Sequence, residues 1–138
     1  MKNAQTRCIL GMVGTDIHSK GIKIIAQVLR DEGFEAIYAG DHHTVESIVS
    51  AAIRDDADVV GLSFFSTAYV DYTLAIVQEL RRRDAGHIAV MIGGQIHPDD
   101  HQVLRDGGVG GVFGPGFQME DMFAFVREAG DRRRAVNV

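Results

Sequence analysis

The feature that most constrains the fold of this chain is a regular alternation of short apolar runs with segments of helical periodicity. Between the apolar runs, apolar residues recur at spacings of three and four, as on one face of a helix. The predicted strands cover residues 7–13, 34–38, 58–63, 88–92 and 109–113. The predicted helices carry the apolar residues Leu29, Ile48, Val77, Leu104 and Val126. Thr44 precedes the second helix as a predicted N-cap.

Strands that alternate with helices and lack tight hairpins indicate a parallel sheet covered on both faces. We therefore predict an α/β fold, a flavodoxin-like (Rossmann-like) doubly wound five-stranded parallel sheet in a single domain. The 138 residues and the hydrophobic fraction of 46% suit one core. The predicted domain covers residues 1–138, with its core at about 6–130 and a flexible basic tail at 131–138.

Composition excludes several classes of function. The net charge of −5 disfavours binding to nucleic acid, which requires a basic face. No apolar run approaches the length of a membrane span, and the first residues do not resemble a secretory leader. A cytoplasmic protein is therefore expected. The single cysteine, Cys8, lies among strand residues and is predicted to be buried rather than reactive.

Unusual residues lie where the predicted strands end. In a parallel sheet of this type, ligands bind at the carboxyl ends of the strands. The corresponding segments are Gly14-Thr15-Asp16-Ile17-His18-Ser19-Lys20-Gly21, Ser63-Phe64-Phe65-Ser66, Gly93-Gly94-Gln95 and Phe113-Gly114-Pro115-Gly116. These four segments are predicted to meet at one edge of the sheet.

The first of these segments contains a pair suited to metal ligation. A neutral imidazole is a good ligand for a borderline metal, and a carboxylate on its second ring nitrogen fixes the tautomer and raises its basicity. Asp16 and His18 are spaced so that they can form such a pair. The alternative is an N-cap aspartate beside a surface histidine. A zinc site is not expected, because the sequence offers no compact second pair of ligands.

Together the segments resemble a known fingerprint. The chain reads Asp16-x-His18-x-x-Gly21, then Ser63-Phe64-Phe65, then Gly93-Gly94. This order and register resemble the cobalamin-binding domains of adenosylcobalamin-dependent mutases and of methionine synthase, whose pattern is Asp-x-His-x-x-Gly, Ser-x-Leu and Gly-Gly. Phe65 stands where the family has leucine. Its ring can still supply an apolar wall, but one of different shape. The resemblance covers nearly the whole chain.

The resemblance implies a specific way of holding cobalamin. His18 would replace the benzimidazole tail as the lower cobalt ligand, Asp16 would hold His18, and the tail would enter a pocket beside the first helix and the sheet. Glycines would let a flat ring approach the backbone. The cofactor-binding residues it implies are Thr15, Asp16, Ile17, His18, Ser19, Lys20, Gly21, Ser63, Phe65, Ser66, Gly93, Gly94, Gly114, Pro115 and Gly116.

The resemblance also implies a function. The chain is expected to be the small subunit of a carbon-skeleton mutase that uses adenosylcobalamin, with a separate large barrel-shaped subunit that binds the substrate. No second domain in this chain could do so. The leading substrate class is an acyl-CoA, as in methylmalonyl-CoA and 2-hydroxyisobutyryl-CoA mutases, whose Gly-Pro-Gly loop resembles residues 114–116.

Two alternatives remain open from the sequence. Many acyl-CoA mutases carry a lysine six residues before the cobalt-binding histidine, whereas this chain has Met12. An apolar residue there resembles the small subunit of glutamate mutase, an amino-acid mutase. A corrinoid methyl carrier is the second alternative, although such proteins usually carry a helical cap before the first strand. A mutase should select adenosylcobalamin, and a carrier should accept methylcobalamin.

Other candidate groups carry weaker signals. Asp41-His42-His43 could form a metal or acid–base site, but a position on the rim is favoured. His97 and His101 are spaced to clamp a metal on a helix, but a surface location is favoured. Phe64, Phe65, Tyr69 and Tyr72 form an aromatic group that packs internally, lines the cofactor edge or contacts a partner.

Overall fold

A computed structural model describes residues 6–13, 20–64 and 68–136 of the chain. Five strands alternate with five helices along these residues, as the sequence predicts. The strands are β1 (Arg7–Val13), β2 (Glu35–His43), β3 (Val59–Phe64), β4 (Ala89–Gly94) and β5 (Gly111–Phe113). The helices are α1 (Lys20–Asp31), α2 (Val45–Arg54), α3 (Tyr69–Arg82), α4 (His101–Asp106) and α5 (Met119–Val136), with a 3₁₀ turn at Pro98–Asp100.

The five strands form one parallel sheet in the order β2-β1-β3-β4-β5. The chain first adds β2 on one side of β1 and then places β3, β4 and β5 on the other side. The strand order therefore changes direction between β1 and β3, which is where such folds form their ligand crevice. The predicted flavodoxin-like topology is confirmed.

Local sequence explains where the helices begin and end. Thr44 is the N-cap of α2, and its side chain accepts a hydrogen bond from the backbone N–H of Ser47, whose hydroxyl accepts one from the Thr44 N–H. Helix α1 ends at a turn in which Gly33 has a φ of 101°, a conformation that glycine adopts without strain.

The helices divide between the two faces of the sheet. Helices α2, α3 and α4 pack on one face, where their apolar residues join Ile9, Val60 and Val90 of the strands. Helices α1 and α5 pack on the other face, where they join Leu10, Val59 and Met91. Neighbouring strand residues thus point to opposite faces, as the pleat of a strand requires.

Two segments differ from the sequence-based expectation. Strand β2 continues past Tyr38 to His43, because its backbone pairs with β1 as far as Val13. Helix α5 continues to Val136, so residues 131–136 are helical and the prediction of a flexible tail is wrong for them. Arg133 fixes this end of the helix through its bonds to Ala57 O, Asp56 and Asp58. None of the helices among the described residues is long and apolar enough to cross a membrane.

Candidate functional site

The structure brings together four of the residues that the sequence singled out. Gly21 lies in the first turn of α1, Ser63 near the end of β3, and Gly93 and Gly94 at the end of β4. All four line one cavity at the carboxyl edge of the sheet. The convergence of these three segments is therefore a property of the fold and not only of a sequence pattern.

The cavity lies between the sheet and the pair of helices α1 and α5, and its volume is about 240 Å³. A cavity of about 150 Å³ with apolar walls is large enough for benzene, so this one has room for a larger flat ring. Its walls contain no charged residue among the described part of the chain. The lining residues are Leu10, Gly21, Ile22, Ile25, Gly61, Leu62, Ser63, Met91, Ile92, Gly93, Gly94, Phe113, Phe117 and Met122.

Small residues in the strands create this space. Along β3, Val59 faces the helices α1 and α5, and the next positions on the same face are Gly61 and Ser63. Along β4, Met91 on this face is followed by Gly93. The side chains on this face thus become small toward the carboxyl ends of both strands. A larger side chain at Ser63 or Gly93 would extend into the cavity, whereas a Cβ atom at Gly61 would meet the side chains of Leu10 and Met91.

Gly94 has a structural reason to be glycine. Its φ is 109°, and a Cβ atom at this position would lie 2.2 Å from the carbonyl oxygen of Phe64. The backbone at the end of β4 therefore sits directly against the end of β3. Gly93 is less constrained, since a Cβ there would lie 3.2 Å from the carbonyl oxygen of Phe113. The requirement for Gly94 comes first from the packing of two strand ends.

Gly21 has no such internal reason. Apart from its two chain neighbours and the nearby backbone of its own helix, no heavy atom of the described residues lies within 4 Å of the position that its Cβ would occupy. The backbone of α1 is consequently bare where it borders the cavity, and a flat group can approach it closely. The hydroxyl of Ser63, also on the wall, forms no hydrogen bond with the described residues. It is the side-chain hydrogen-bonding group that this part of the wall offers to a ligand.

Several predicted site residues lie outside the described residues. These are Thr15, Asp16, Ile17, His18, Ser19, Phe65 and Ser66. Segment 14–19 joins β1 to α1, and segment 65–67 joins β3 to α3. Both segments therefore connect directly to elements that form the cavity. Lys20 begins α1 with an exposed side chain and is not part of the cavity wall.

The Gly114-Pro115-Gly116 segment lies beside the cavity rather than in its wall. Together with Ile96 and His101 it lines a neighbouring groove of about 480 Å³. Phe117 borders both spaces, and its ring packs against Phe113 with a centroid distance of 5.4 Å. The groove and the cavity are consequently adjacent, separated in part by one aromatic ring.

The other histidines do not form a metal site in the described part of the chain, which holds no cluster of three or more His, Cys, Asp or Glu side chains. His42 is exposed, and His43 places its ring nitrogens 2.8 Å from Ser47 Oγ and Ala39 O. His97 is exposed and accepts a hydrogen bond from the Asp99 N–H. The exposed His42 and His97 agree with the favoured rim and surface positions, whereas His43 and His101 are half-buried.

Of the aromatic group, Phe64, Tyr69 and Tyr72 pack internally, whereas Phe65 lies outside the described residues. Phe64 is fully buried, and the rings of Tyr69 and Tyr72 lie 6.2 Å and 6.5 Å from it between centroids. Cys8 is also fully buried, as predicted, and burial, reinforced by Asp58, raises its pKa to about 12. Neither the rings nor the thiol borders the cavity.

Sequence reasoning missed the apolar residues that complete the cavity. These are contributed by four separate elements and by the β5–α5 connection, and are Leu10, Ile22, Ile25, Met91, Met122 and Phe117. Their apolar periodicity marked them only as core residues. The available signal was the run of small residues on one face of β3 and β4, which predicts a gap beneath whichever helices cover that face.

The chain belongs to the B12 binding domain family, whose pattern it matches over residues 6–123. Two relatives are small subunits of mutases that act on acyl-CoA compounds. The pivalyl-CoA mutase small subunit of Xanthobacter autotrophicus is 33% identical over 96% of this chain and 88% of its own length. The 2-hydroxyisobutanoyl-CoA mutase small subunit of Aquincola tertiaricarbonis is 38% identical over 79% of this chain and 80% of its own length.

A solved structure agrees with this assignment. The crystal structure of a cobalamin-binding protein from Desulfitobacterium hafniense DCB-2 superposes with a TM-score of 0.69 at 26% sequence identity. The match covers 78% of this chain and 52% of that one. The family and the shape of the cavity agree, since a largely apolar cavity with glycines in its walls fits the flat benzimidazole tail of a B12 cofactor.

Proposed function

We propose that this chain is the cobalamin-binding small subunit of an adenosylcobalamin-dependent mutase that isomerises the carbon skeleton of an acyl-CoA. A separate large, barrel-shaped subunit would bind the substrate, and the small subunit alone would be inactive. The observation that carries the proposal is the apolar cavity between α1, α5 and the ends of β3 and β4. A domain of this size has no structural need for a cavity at its carboxyl edge.

Within this proposal the cavity holds the benzimidazole tail. The bare backbone at Gly21 and Gly93 allows a ring to lie close to α1 and β4, and Ser63 offers a hydrogen bond at its edge. Apolar walls favour the uncharged ring over water. Residues Phe65 and Ser66 follow β3 directly and would contact the same part of the cofactor.

His18 is proposed as the lower ligand of cobalt, oriented by Asp16. Their segment joins β1 to α1, and both of these elements form part of the cavity wall. A neutral histidine binds through one ring nitrogen, and a carboxylate on the other nitrogen keeps it in the right tautomer. Thr15, Ile17, Ser19 and Lys20 flank the pair and would contact the cofactor around it.

The bound cofactor would supply homolysis of its carbon–cobalt bond, which begins radical chemistry on the substrate. The contribution of this chain is to bind and orient that cofactor. Gly114, Pro115 and Gly116 line the groove next to the cavity, where they would contact the nucleotide end. A partner would cover the open side and exclude water.

An acyl-CoA substrate is preferred because both of the small-subunit relatives belong to mutases named for acyl-CoA compounds. Met12, which resembles the residue in glutamate mutase, is fully buried in the core between the sheet, α1 and α5. Its apolar character is explained by that packing and does not by itself indicate an amino-acid substrate. Location in the cytoplasm remains a prediction.

The first test is a titration of the purified chain with cob(II)alamin, followed by absorption and electron paramagnetic resonance. Wild type is expected to show superhyperfine coupling to an imidazole nitrogen, and His18→Ala is expected to lose it while remaining folded. Asp16→Asn should weaken ligation less severely. His87→Ala is the matched control, because His87 is exposed in the turn that precedes β4, at the opposite edge of the sheet.

The results of these titrations distinguish a cobalt ligand from a structural role for the segment. Loss of the coupling in His18→Ala alone supports the proposed ligand. Failure of the wild-type chain to bind cobalamin, with and without a large subunit of the acyl-CoA mutase type, would refute the proposal. Unfolding of both His18→Ala and Asp16→Asn would instead indicate that the segment has a structural role.

Reconstitution tests the reaction. The chain is combined with a large subunit of the 2-hydroxyisobutanoyl-CoA mutase type, adenosylcobalamin and a branched acyl-CoA, and the linear and branched isomers are separated. Isomerisation that requires both subunits and the adenosyl form is expected. Turnover of glutamate with a matching large subunit would favour the amino-acid mutase, and transfer of a methyl group from methylcobalamin would favour the carrier.

A further inference from the structure

Tyr69 connects two segments that follow neighbouring strands. It begins helix α3, after β3, and its side chain is only 5% exposed. Its hydroxyl accepts a hydrogen bond of 2.9 Å from the backbone N–H of His97 and donates a hydrogen bond to the carboxylate of Asp100. His97 and Asp100 both belong to the segment that follows β4. One hydroxyl thus joins the start of α3 to the β4–α4 connection.

The role of Asp100 supports the importance of this contact. Asp100 occupies the N-cap position of α4, where an aspartate side chain normally accepts a hydrogen bond from the helix backbone. Its side chain forms no such bond and is directed to Tyr69 instead. A hydrogen bond to a carboxylate is stronger than one between neutral groups. The local capping interaction is therefore replaced by a longer-range one.

Residues 94–97, which include the end of β4, lie between a contact with Phe64 and a contact with Tyr69. At the near end, the Gln95 N–H donates to the carbonyl oxygen of Phe64, and Gly94 packs against the same backbone. At the far end, the His97 N–H donates to Tyr69. Phe64 and Tyr69 are in ring contact with each other. Residues 94–97 are consequently held at both ends by the polypeptide that follows Ser63.

The protonation state of Tyr69 suits this role. Burial and the adjacent Asp100 raise the pKa of the Tyr69 hydroxyl above its ordinary value. The hydroxyl therefore stays protonated across the physiological range and can donate to Asp100 while it accepts from His97.

We infer that Tyr69 is a positioning residue for the cofactor: its hydroxyl fixes the β4–α4 connection against the start of α3 and so holds the Gly93-Gly94 wall of the cavity in place. The inference rests on the proposed function, because it assumes that the cavity binds the cobalamin tail. Without the hydroxyl, the wall keeps its Phe64 contact but loses the second one, and a ring entering the cavity meets a less ordered surface.

Hydrogen exchange of the chain without cofactor tests the positioning directly. In Tyr69→Phe the amide of His97 is expected to exchange about tenfold faster or more, because it loses its acceptor and the segment opens more often. The amides of residues 89–92, which lie in β4 before this wall, should change little. Tyr72→Phe is the matched control, since Tyr72 also lies on α3 and stacks on Phe64.

Cobalamin titration tests the consequence for binding. At a temperature where every variant is fully folded, Tyr69→Phe is expected to bind cob(II)alamin about tenfold more weakly than wild type. Asp100→Ala should weaken binding to a similar degree, whereas Asp100→Asn keeps an acceptor for the Tyr69 hydroxyl and should bind nearly as wild type does. Such rescue would not follow from a general loss of stability.

Three results would overturn the inference. They are unchanged exchange at His97 in Tyr69→Phe, faster exchange with wild-type affinity, and equal loss of affinity in Tyr72→Phe. A wild-type chain that binds no cobalamin at all would refute the proposed function and with it the role of Tyr69 in cofactor binding. The exchange experiment would in that case still show whether the contact orders residues 94–97.

Discussion

The two faces of the sheet are built differently. On the face covered by α2, α3 and α4, the strands present large branched or aromatic side chains near their carboxyl ends, such as Leu62 and Phe64 on β3 and Ile92 on β4. These side chains are almost fully buried. On the face covered by α1 and α5, the corresponding last positions are Ser63 and Gly93, and a cavity lies above them.

The cavity occupies only one end of its face. Toward the amino ends of the strands, Cys8 and Val59 are fully buried against Leu29 and Val126 of the two helices. The same helices therefore pack tightly at one end and stand away from the sheet at the other. A ligand space has been made by removing side chains from a few strand positions, while the opposite face and the amino half retain the packing that stabilises the fold.

The largest expected effect tests the face covered by α2, α3 and α4, which we call the filled face, against the cavity face covered by α1 and α5. Ile76 on α3 is fully buried, so Ile76→Ala should lower the free energy of unfolding by about 4 kcal/mol. Met122 on α5 already borders the cavity and lacks contacts on that side, so Met122→Ala should cost about 2 kcal/mol. Urea denaturation of the two variants measures the difference. Equal losses would show that the two faces are packed equally well.

The second effect concerns the cavity itself. Gly21→Leu places a side chain where the described residues leave open space, so it should weaken cobalamin binding by about 100-fold or more without destabilising the chain. Replacing glycine within a helix should even raise the free energy of unfolding, by up to about 1 kcal/mol. Absorption titration and urea denaturation measure the two quantities.

Gly21→Ala is the matched control for this prediction. It makes the same change in helix propensity but adds only a methyl group, which leaves most of the cavity free. Its affinity should fall much less than that of Gly21→Leu. Wild-type affinity in the leucine variant would show that the cofactor tail does not occupy the cavity.

Much of this architecture could be predicted from the sequence, because periodicity and glycine positions report on local structure. All five strands and all five helices followed from apolar spacing, and Thr44 correctly marked the start of α2. The grouping of Gly21, Ser63 and Gly93 followed from the rule that parallel strands share a carboxyl edge. The short sequence pattern was therefore informative, because the parallel sheet brings these three residues to the same cavity.

The rest depends on contacts between distant segments. Residues 39–43 looked like a loop, because glycine and polar residues interrupt the apolar run, but pairing with β1 keeps them in a strand. The Tyr69 contacts with His97 and Asp100 join residues far apart in sequence and leave no periodic signal. The basic end of α5 looked like a solvated tail, because only the folded chain brings Arg133 to Asp58.

The third prediction uses the contact between Arg133 and Asp58. It tests the face covered by α1 and α5 near the amino ends of the strands, where the packing is tight. Arg133 and Asp58 are both largely buried, and the guanidinium also donates to Ala57 O and Asp56. Arg133→Ala should lower the free energy of unfolding by about 2 kcal/mol, since it leaves Asp58 without its cationic partner. Denaturation in urea provides the measurement.

Arg132→Ala is its control. Arg132 lies on the same turn of α5 but is exposed, with Glu128 at 3.9 Å as its ion-pair partner. Such a pair contributes little, so this variant should change the free energy of unfolding by less than about 0.5 kcal/mol. Equal effects in the two variants would mean that residues 131–136 do not hold α5 against the sheet.

The smallest effect is a pH dependence on the filled face, where Glu79 of α3 accepts hydrogen bonds from Arg82 and Arg83. These bonds lower the pKa of Glu79 to about 2 in the folded chain. Because the folded pKa is below the ordinary value, the stabilisation is complete above about pH 4.5 and is lost as the pH falls toward 2. Arg83 also donates to Ser50 of α2, so the interaction links two helices of this face.

Glu79→Gln should therefore lower the midpoint of unfolding at pH 7 and approach wild-type stability near pH 2. Glu128→Gln serves as the control, because its single ion-pair partner lies 3.9 Å away on an exposed surface. Midpoints measured by circular dichroism between pH 2 and 7 check both variants. A Glu79→Gln deficit that stays constant over this range would assign the effect to packing of the side chain and not to its charge. In that case the filled face would owe its stability to apolar contacts alone, which would sharpen its contrast with the cavity face.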